Sequence, residues 1–153
     1  MSAVQTRLAT LADLDAVAAL FDAYRQFYDQ APDLAGARRF LNERLLNNES
    51  VLLPAEDAAA GQALGFCQLY PSFCSVEAAS IYTLYDLFVV PQARRSGVGR
   101  ALLLTAEAQA VAGGKVRMDL TTARTNHAAQ SMYASLGWVR DDVFLAYSKR
   151  LAD

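Results

Sequence analysis

Between Asp86 and Arg100 the chain reads Asp-Leu-Phe-Val-Val-Pro-Gln-Ala-Arg-Arg-Ser-Gly-Val-Gly-Arg. An apolar, β-branched run stops at Pro91, and a basic turn with two glycines follows. A helix pattern then opens. The first backbone N–H groups of a helix have no partner within it and concentrate partial positive charge. Gly97 and Gly99 carry no side chains there, so phosphate oxygens can approach the main chain. Arg94, Arg95 and Arg100 add cationic charge. These residue types in this order suit a pyrophosphate. Two better-known phosphate loops fit less well. A P-loop needs Gly-Lys followed by Ser or Thr, which this segment lacks, and the dinucleotide fingerprint needs three glycines where two are present. A strand–turn–helix corner that uses its glycines only for packing is the plainer alternative.

Other chemistry-bearing types are few. The 153 residues include one His and two Cys, which leaves no room for the usual zinc constellations, so no metal is expected. Cys67 and Cys74 fall on one predicted strand and its end, seven residues apart. They would point to opposite faces, too far apart to bond, and both read as small buried hydrophobes. Net charge is −2 with no Lys/Arg block, which argues against binding nucleic acid. No apolar run is long enough for a bilayer, and the first residues lack a signal-peptide layout, so a cytoplasmic protein without membrane contact is expected.

The surrounding pattern says what must position these residues. Apolar types make up 54% of the chain, enough for a packed core, and the length suits one domain over residues 1–153. Val4 to Leu8 predicts a short strand. Thr10 and Asp13 form a capping-box pair ahead of a helix that runs to about Tyr28. Beyond Pro32 a second helix carries Leu34, Arg38, Leu41 and Leu45 on one stripe. Val51 to Leu53 predicts a strand, Ala55 to Gln62 a polar turn, and Ala63 to Phe73 the second arm of a hairpin. Ile81 to Val90 is a long strand, with Thr83, Tyr85, Leu87 and Val89 on one face and Tyr82, Leu84, Asp86 and Phe88 on the other. Gly97 to Ala112 predicts a helix, Val116 to Leu120 a strand, and Asn126 to Leu136 a helix closed by Gly137. Trp138 to Lys149 looks β-like, with a turn near Asp141. The expected class is α/β (α+β): a mixed sheet covered by helices.

The segment Arg94-x-x-Gly97-x-Gly99 after Leu-Phe-Val-Val-Pro resembles the acetyl-CoA signature of the GNAT superfamily of N-acetyltransferases, [QR]-x-x-G-x-[GA]. A second match lies downstream. Asn126-x-x-Ala129-x-x-Met132-Tyr133-x-x-Leu136-Gly137-Trp138 is similar to that family's N-x-x-A-x-x-[LF]-Y-x-x-x-G-[FYW] segment. The spacing between the two fits one helix and one strand, and the resemblance spans essentially the whole chain. It implies a single domain with a twisted, mostly antiparallel sheet of six to seven strands and helices on both faces.

The resemblance also implies roles. Acetyl-CoA would be the cosubstrate. Its pantetheine arm would lie along Phe88, Val89 and Val90, and its pyrophosphate on the turn formed by Arg94, Arg95, Ser96, Gly97, Val98, Gly99, Arg100 and Ala101. Asn126 would bond the cofactor arm. Tyr133 would stand near the thioester sulfur and protonate the departing thiolate, as a phenol of ordinary pKa about 10 is able to. The alternative for Tyr133 is a core tyrosine on the apolar face with Ala129, Met132 and Leu136. Some relatives carry a glutamate where Tyr85 stands, so a direct carboxylate base at that position is lost and Tyr85 is left to hold a water. Asp86 is the one carboxylate of its strand, either functional or a structural hydrogen-bonding group. A strand N–H of Val89 or Val90 would stabilise the oxyanion. Tyr24, Phe27 and Tyr28, ending the first helix, and Tyr70 and Phe73, ending the hairpin strand, lie in regions that flank the acceptor channel in relatives. With Asp22, Asp29 and Asp33 nearby, such a cluster can hold a cationic amine, or can be ordinary packing. His127 reads as an exposed surface residue. The implied activity is acetyl transfer to a primary amine of a small molecule. Protein N-terminal or lysine acetylation, and a non-catalytic acyl-CoA sensor, are the alternatives. Relatives often dimerise, which leaves a homodimer open.

Overall fold

The computed structural model describes residues 3–153. They form a larger compact unit that runs to Thr121 and a smaller one, Thr122–Asp153. Among the described residues no helix is long and apolar enough to cross a membrane.

The larger unit is a five-stranded sheet in the order β1-β2-β3-β4-β5, built from β1 (Val4–Thr6), β2 (Val51–Asp57), β3 (Ala63–Cys74), β4 (Ala79–Val89) and β5 (Met118–Asp119). The first four strands are antiparallel and β5 lies parallel to β4. Its helices are α1 (Leu14–Phe27), α2 (Leu34–Leu46) and α3 (Val98–Ala112). Leu14, Val17, Ala18 and Phe21 of α1 and Ala37 and Leu41 of α2 form one core with Leu52, Phe66 and Phe88 of the sheet. Leu53 and Cys67 alternate with Leu52 and Phe66 and so point to the opposite face. There α3 lies across β1 to β4, burying Val98, Leu102, Leu103, Ala106 and Ala110, and the Thr6 and Thr105 hydroxyls meet at 2.5 Å. Helices therefore cover both faces, as expected.

The strand count is corrected from six or seven to five. Val116 to Leu120 contributes only two ladder residues, because parallel pairing with β4 holds at Tyr82↔Met118 and Thr83↔Asp119 and then stops. The predicted tail strands do not form. The Asp141 carboxylate instead accepts the N–H groups of Val143 and Phe144 at 2.8 and 3.1 Å, closing a local turn, and Val143, Phe144, Leu145 and Tyr147 are exposed. In the smaller unit, α4 (His127–Ser135) starts at Asn126 and ends before Gly137, whose φ of +91° suits the expected position just past a helix.

Smaller differences have local causes. Strand β2 continues through Asp57, beyond the predicted Leu53, with a register shift at Ala55/Glu56. The stripe of α2 is Ala37 and Leu41, while Leu34 is exposed. Cys67 is buried as predicted, but Cys74 is only half-buried, and both thiols are free.

The Thr10–Asp13 capping box is present, though it opens a short 3-10 turn, Leu11–Asp13, before α1. Arg7 donates to both Asp13 oxygens at 2.7 and 2.8 Å. That hydrogen bonding holds the Asp13 carboxyl down at about 2. A carboxyl depressed on folding stabilises the native state above its unfolded value and loses that contribution as pH falls through its folded value. Asp13→Ala is therefore expected to cost about 1–2 kcal/mol at neutral pH. Urea titrations between pH 4 and 2 should show wild-type stability falling toward that of the variant; parallel curves across this window would contradict the assignment.

Candidate active site

Strand β4 is the axis of the site. Its partners on β3 run Val89↔Gly65, Phe88↔Phe66, Leu87↔Cys67 and Asp86↔Gln68, then jump to Leu84↔Leu69. Tyr85 is the extra residue of a β-bulge. The bulge overturns the simple alternation expected for this strand. Leu84 now shares the face of its partner Leu69, opposite to Asp86. Tyr85 and Asp86, adjacent in sequence and predicted on opposite faces, both line one open cavity of about 270 Å³.

That cavity lies on the α1/α2 side and gathers Tyr24, Tyr28, Tyr70 and Tyr85 of the expected acceptor cluster, while Phe27 and Phe73 are exposed and do not line it. The Tyr24 and Tyr28 rings meet edge-on at 5.1 Å and those of Tyr70 and Tyr85 at 5.4 Å. The Tyr24 hydroxyl donates to the Tyr85 carbonyl at 3.2 Å, which ties α1 to the bulge. Burial pushes the phenols of Tyr24 and Tyr70 well up, and the negative charge of Asp86 adds to it. Phe21, Arg25, Gln30 and Phe40 complete the wall.

Asp86 is buried, with 4% of its surface exposed, and accepts from Gln68 Nε2 at 2.6 Å. Burial raises its carboxyl above the ordinary range, against the hydrogen bonds from Gln68 and Tyr24. Two of the acids expected beside the aromatic cluster have structural partners instead. Asp22 accepts from the Asp33 N–H at 2.9 Å, and Asp33 accepts from the Gly36 N–H at 2.9 Å as the cap of α2. Asp86 is the carboxylate that reaches the cavity. Sequence reading missed Gln68, although a lone amide inside the apolar run Leu64–Leu69 is a visible signal.

At the other end of β4 the backbone is freed. The Val90 N–H donates to the Leu64 carbonyl at 2.9 Å, so Val90 is not available as an oxyanion donor and that expectation narrows to Val89. By the alternation of an antiparallel ladder, Phe88 also bonds toward β3, while Leu87 and Val89 direct their groups to the edge where pairing with β5 has ended. Arg94 Nε donates to the Val89 carbonyl at 2.9 Å, and its guanidinium stands 5.7 Å from the Phe88 ring centroid and 5.8 Å from that of Phe27. Arg94 is thus held at the strand end, whereas Arg95, in a left-handed conformation at φ +62°, is exposed with Arg100.

Gly97 is the N-cap of α3. It sits at φ +89° and provides no side-chain cap for the first turn, whereas the Ser96 hydroxyl turns back to the Ala93 carbonyl. A Cβ on Gly97 would meet nothing within 4 Å, so the space over this helix end is open. Uncapped N–H groups, open space and flanking arginines fit a pyrophosphate.

The remaining predicted residues lie in the smaller unit. The Asn126 side chain accepts from the Ala129 N–H at 3.2 Å and so caps α4. Tyr133 is half-buried, its ring 6.0 Å from that of Trp138, and His127 is exposed as expected.

The sequence matches the acetyltransferase (GNAT) family over residues 16–138. It is 47% identical over 141 residues to an uncharacterized N-acetyltransferase of Bacillus subtilis, YhfO, covering 92% of this chain and 93% of that one. It is 34% identical over 103 residues to an aminoglycoside N(6')-acetyltransferase type 1 of Klebsiella aerogenes, 65% of each chain. A crystal structure of a probable acetyltransferase superposes with a TM-score of 0.91 at 38% identity, over 97% of this chain and 99% of the other.

At Gly65, β3 approaches the strand that forms the site too closely for a side chain. A Cβ there would stand 2.5 Å from the Phe88 carbonyl oxygen and 3.3 Å from Val89 Cα. Gly65→Ala should cost about 1–3 kcal/mol by overpacking. Urea unfolding checks this, and an unchanged midpoint would show that β4 is not so constrained.

Proposed function

Because the chain belongs to the acetyltransferase (GNAT) family, we propose that it transfers the acetyl group of acetyl-CoA to a primary amine of a small molecule by direct attack. The observation that carries this reading is the convergence of Tyr24, Tyr28, Tyr70, Tyr85 and Asp86 on one cavity, on the strand that leads to the uncapped end of α3.

Each residue then has a task. The first N–H groups of α3, from Val98 to Arg100, which no side chain caps, hold the pyrophosphate with Arg95 and Arg100 beside them. Phe88, Val89 and Val90 border the arm of the cosubstrate, and Asn126 bonds that arm. The tyrosine faces receive an ammonium by cation–π attraction, and the Asp86 carboxylate adds a charge partner. An ammonium nitrogen has no free lone pair, so a proton must leave before attack. Asp86, raised toward neutrality by burial, accepts it. The neutral amine forms the C–N bond, and the outward N–H of Val89 stabilises the oxyanion. The C–S bond breaks, Tyr133 gives its proton to the thiolate, and the second proton, shed by the cationic nitrogen of the adduct, passes through solvent to restore the Tyr133 phenol. Six aromatic rings in so small a cavity favour an amine on a compact apolar body. The aminoglycoside named for one relative is an acceptor of that protein; its many hydroxyls suit this lining poorly.

Thiol release from acetyl-CoA, followed over a panel of small amines, aminoglycosides and peptides, tests the reading. Turnover on small apolar amines is the expected result. Uptake of CoA with no release of thiol from any acceptor points to a sensor and rejects it. Tyr133→Phe should lower kcat by roughly 10²-fold with CoA affinity unchanged. Lost affinity with turnover retained would contradict the role given to Tyr133.

A further inference from the structure

Gln68 is a fully buried amide in an otherwise apolar stretch of β3, with 0% of its surface exposed. Leaving such a group without partners is costly, so its contacts carry information. The Ser50 hydroxyl donates to Gln68 Oε1 at 2.8 Å. Gln68 Nε2 donates to Asp86 Oδ2 at 2.6 Å, a short, charge-assisted bond. The three residues sit at the start of β2, on β3 and on β4, so the relay crosses the sheet and ends at the cavity wall. The direction of the chain matters. With Ser50 donating to the oxygen of the amide, the nitrogen must face Asp86, and a nitrogen donor selects the ionised carboxylate as its partner. The flipped amide would accept from a protonated Asp86. In the observed orientation the Ser50 hydroxyl satisfies the amide oxygen while Nε2 holds Asp86 Oδ2, the arrangement that suits an ionised Asp86.

We infer that Gln68, its amide oxygen paired with Ser50, is a positioning residue that holds the Asp86 carboxylate ionised and aimed into the aromatic cavity as the proton acceptor for the incoming ammonium. This rests on the acetyl-transfer reading above. The proton passes from the ammonium nitrogen to Asp86, the freed lone pair forms the bond to carbon, and the relay itself gains and loses nothing. Other groups face Asp86: Tyr24, Arg25 and Tyr28 from α1, Cys67 and Tyr70 from β3, and Tyr85 beside it, with Arg44 of α2 behind Tyr70. Burial pushes Tyr24, Tyr70 and Cys67 upward, so they stay neutral in the range where a carboxylate titrates, and the arginines carry constant charge.

The test pairs two readouts on wild type, Gln68→Leu and Ser50→Ala: the ¹³C carboxyl titration of Asp86 in the protein alone, assigned by its disappearance in Asp86→Asn, and the acid limb of kcat/KM against pH. Gln68→Leu removes a donor to the ionised form, so both should move upward by about one pH unit. The plateau at high pH, where Asp86 is ionised regardless, should stay within about threefold. Ser50→Ala, at the start of β2, should shift both in the same direction by less, and it serves if Gln68→Leu fails to fold. A limb that stays in place while the Asp86 titration moves overturns the inference. So does an Asp86 that remains protonated throughout the neutral range in wild type. Wild type that releases no thiol with any amine defeats the acetyl-transfer reading itself, an outcome distinct from either.

Discussion

Strand β4 has to satisfy two neighbours at once and pairs fully with only one. Its ladder to β3 is continuous apart from the bulge, while its ladder to β5 ends after Thr83↔Asp119. Backbone polar groups must be paired or left facing solvent or a ligand. Beyond Thr83 one edge of β4 has no strand partner among the described residues: side chains take the Tyr85 and Val89 carbonyls, and the bulge at Tyr85 aims two consecutive side chains into one cavity. Gly65 has no Cβ to meet the Phe88 carbonyl, which lets β3 and this strand lie close together.

The electrostatics follow from the same strand. Near Asp86 the surroundings are aromatic and the carboxyl is buried, which raises it and makes a charged guest welcome only with its countercharge. Three residues beyond Asp86, about 10 Å along an extended chain, Val89 turns its groups to the free edge. There the environment becomes basic and open, with Arg94 anchored to the Val89 carbonyl and the first turn of α3 uncapped. One strand thus joins a cavity suited to a cation to a corner suited to an anion.

The corner at 94–101 is legible because a glycine pair after a β-branched run leaves few other uses, and the tyrosines converge because Tyr24 and Tyr28 stand at the end of α1 and Tyr70 lies on β3 beside the β4 bulge that carries Tyr85. The faces of β4 were misread for a physical reason. Side-chain alternation assumes one residue per pleat, and a bulge breaks that count without any marker in Leu84-Tyr85-Asp86. Capping at Thr10 and Asp13 was readable, since it depends on residues three apart. The tail was not. Val143, Phe144 and Leu145 have the composition of a strand, but the Asp141 carboxylate takes the N–H groups that a ladder would need. Gln68 escaped notice because its meaning depends on Ser50 and Asp86, each 18 residues away in sequence.

Acetyl-CoA binding requires that the anion corner and the outer edge of β4 receive one extended molecule together. An amide ¹H–¹⁵N titration of the protein with CoA reads both at once. Shifts at Val98, Gly99 and Arg100, accompanied by a shift at Val89 with the same saturation curve, are the expected result. Saturating CoA that leaves these amides unmoved, or moves the helix end alone, would contradict it.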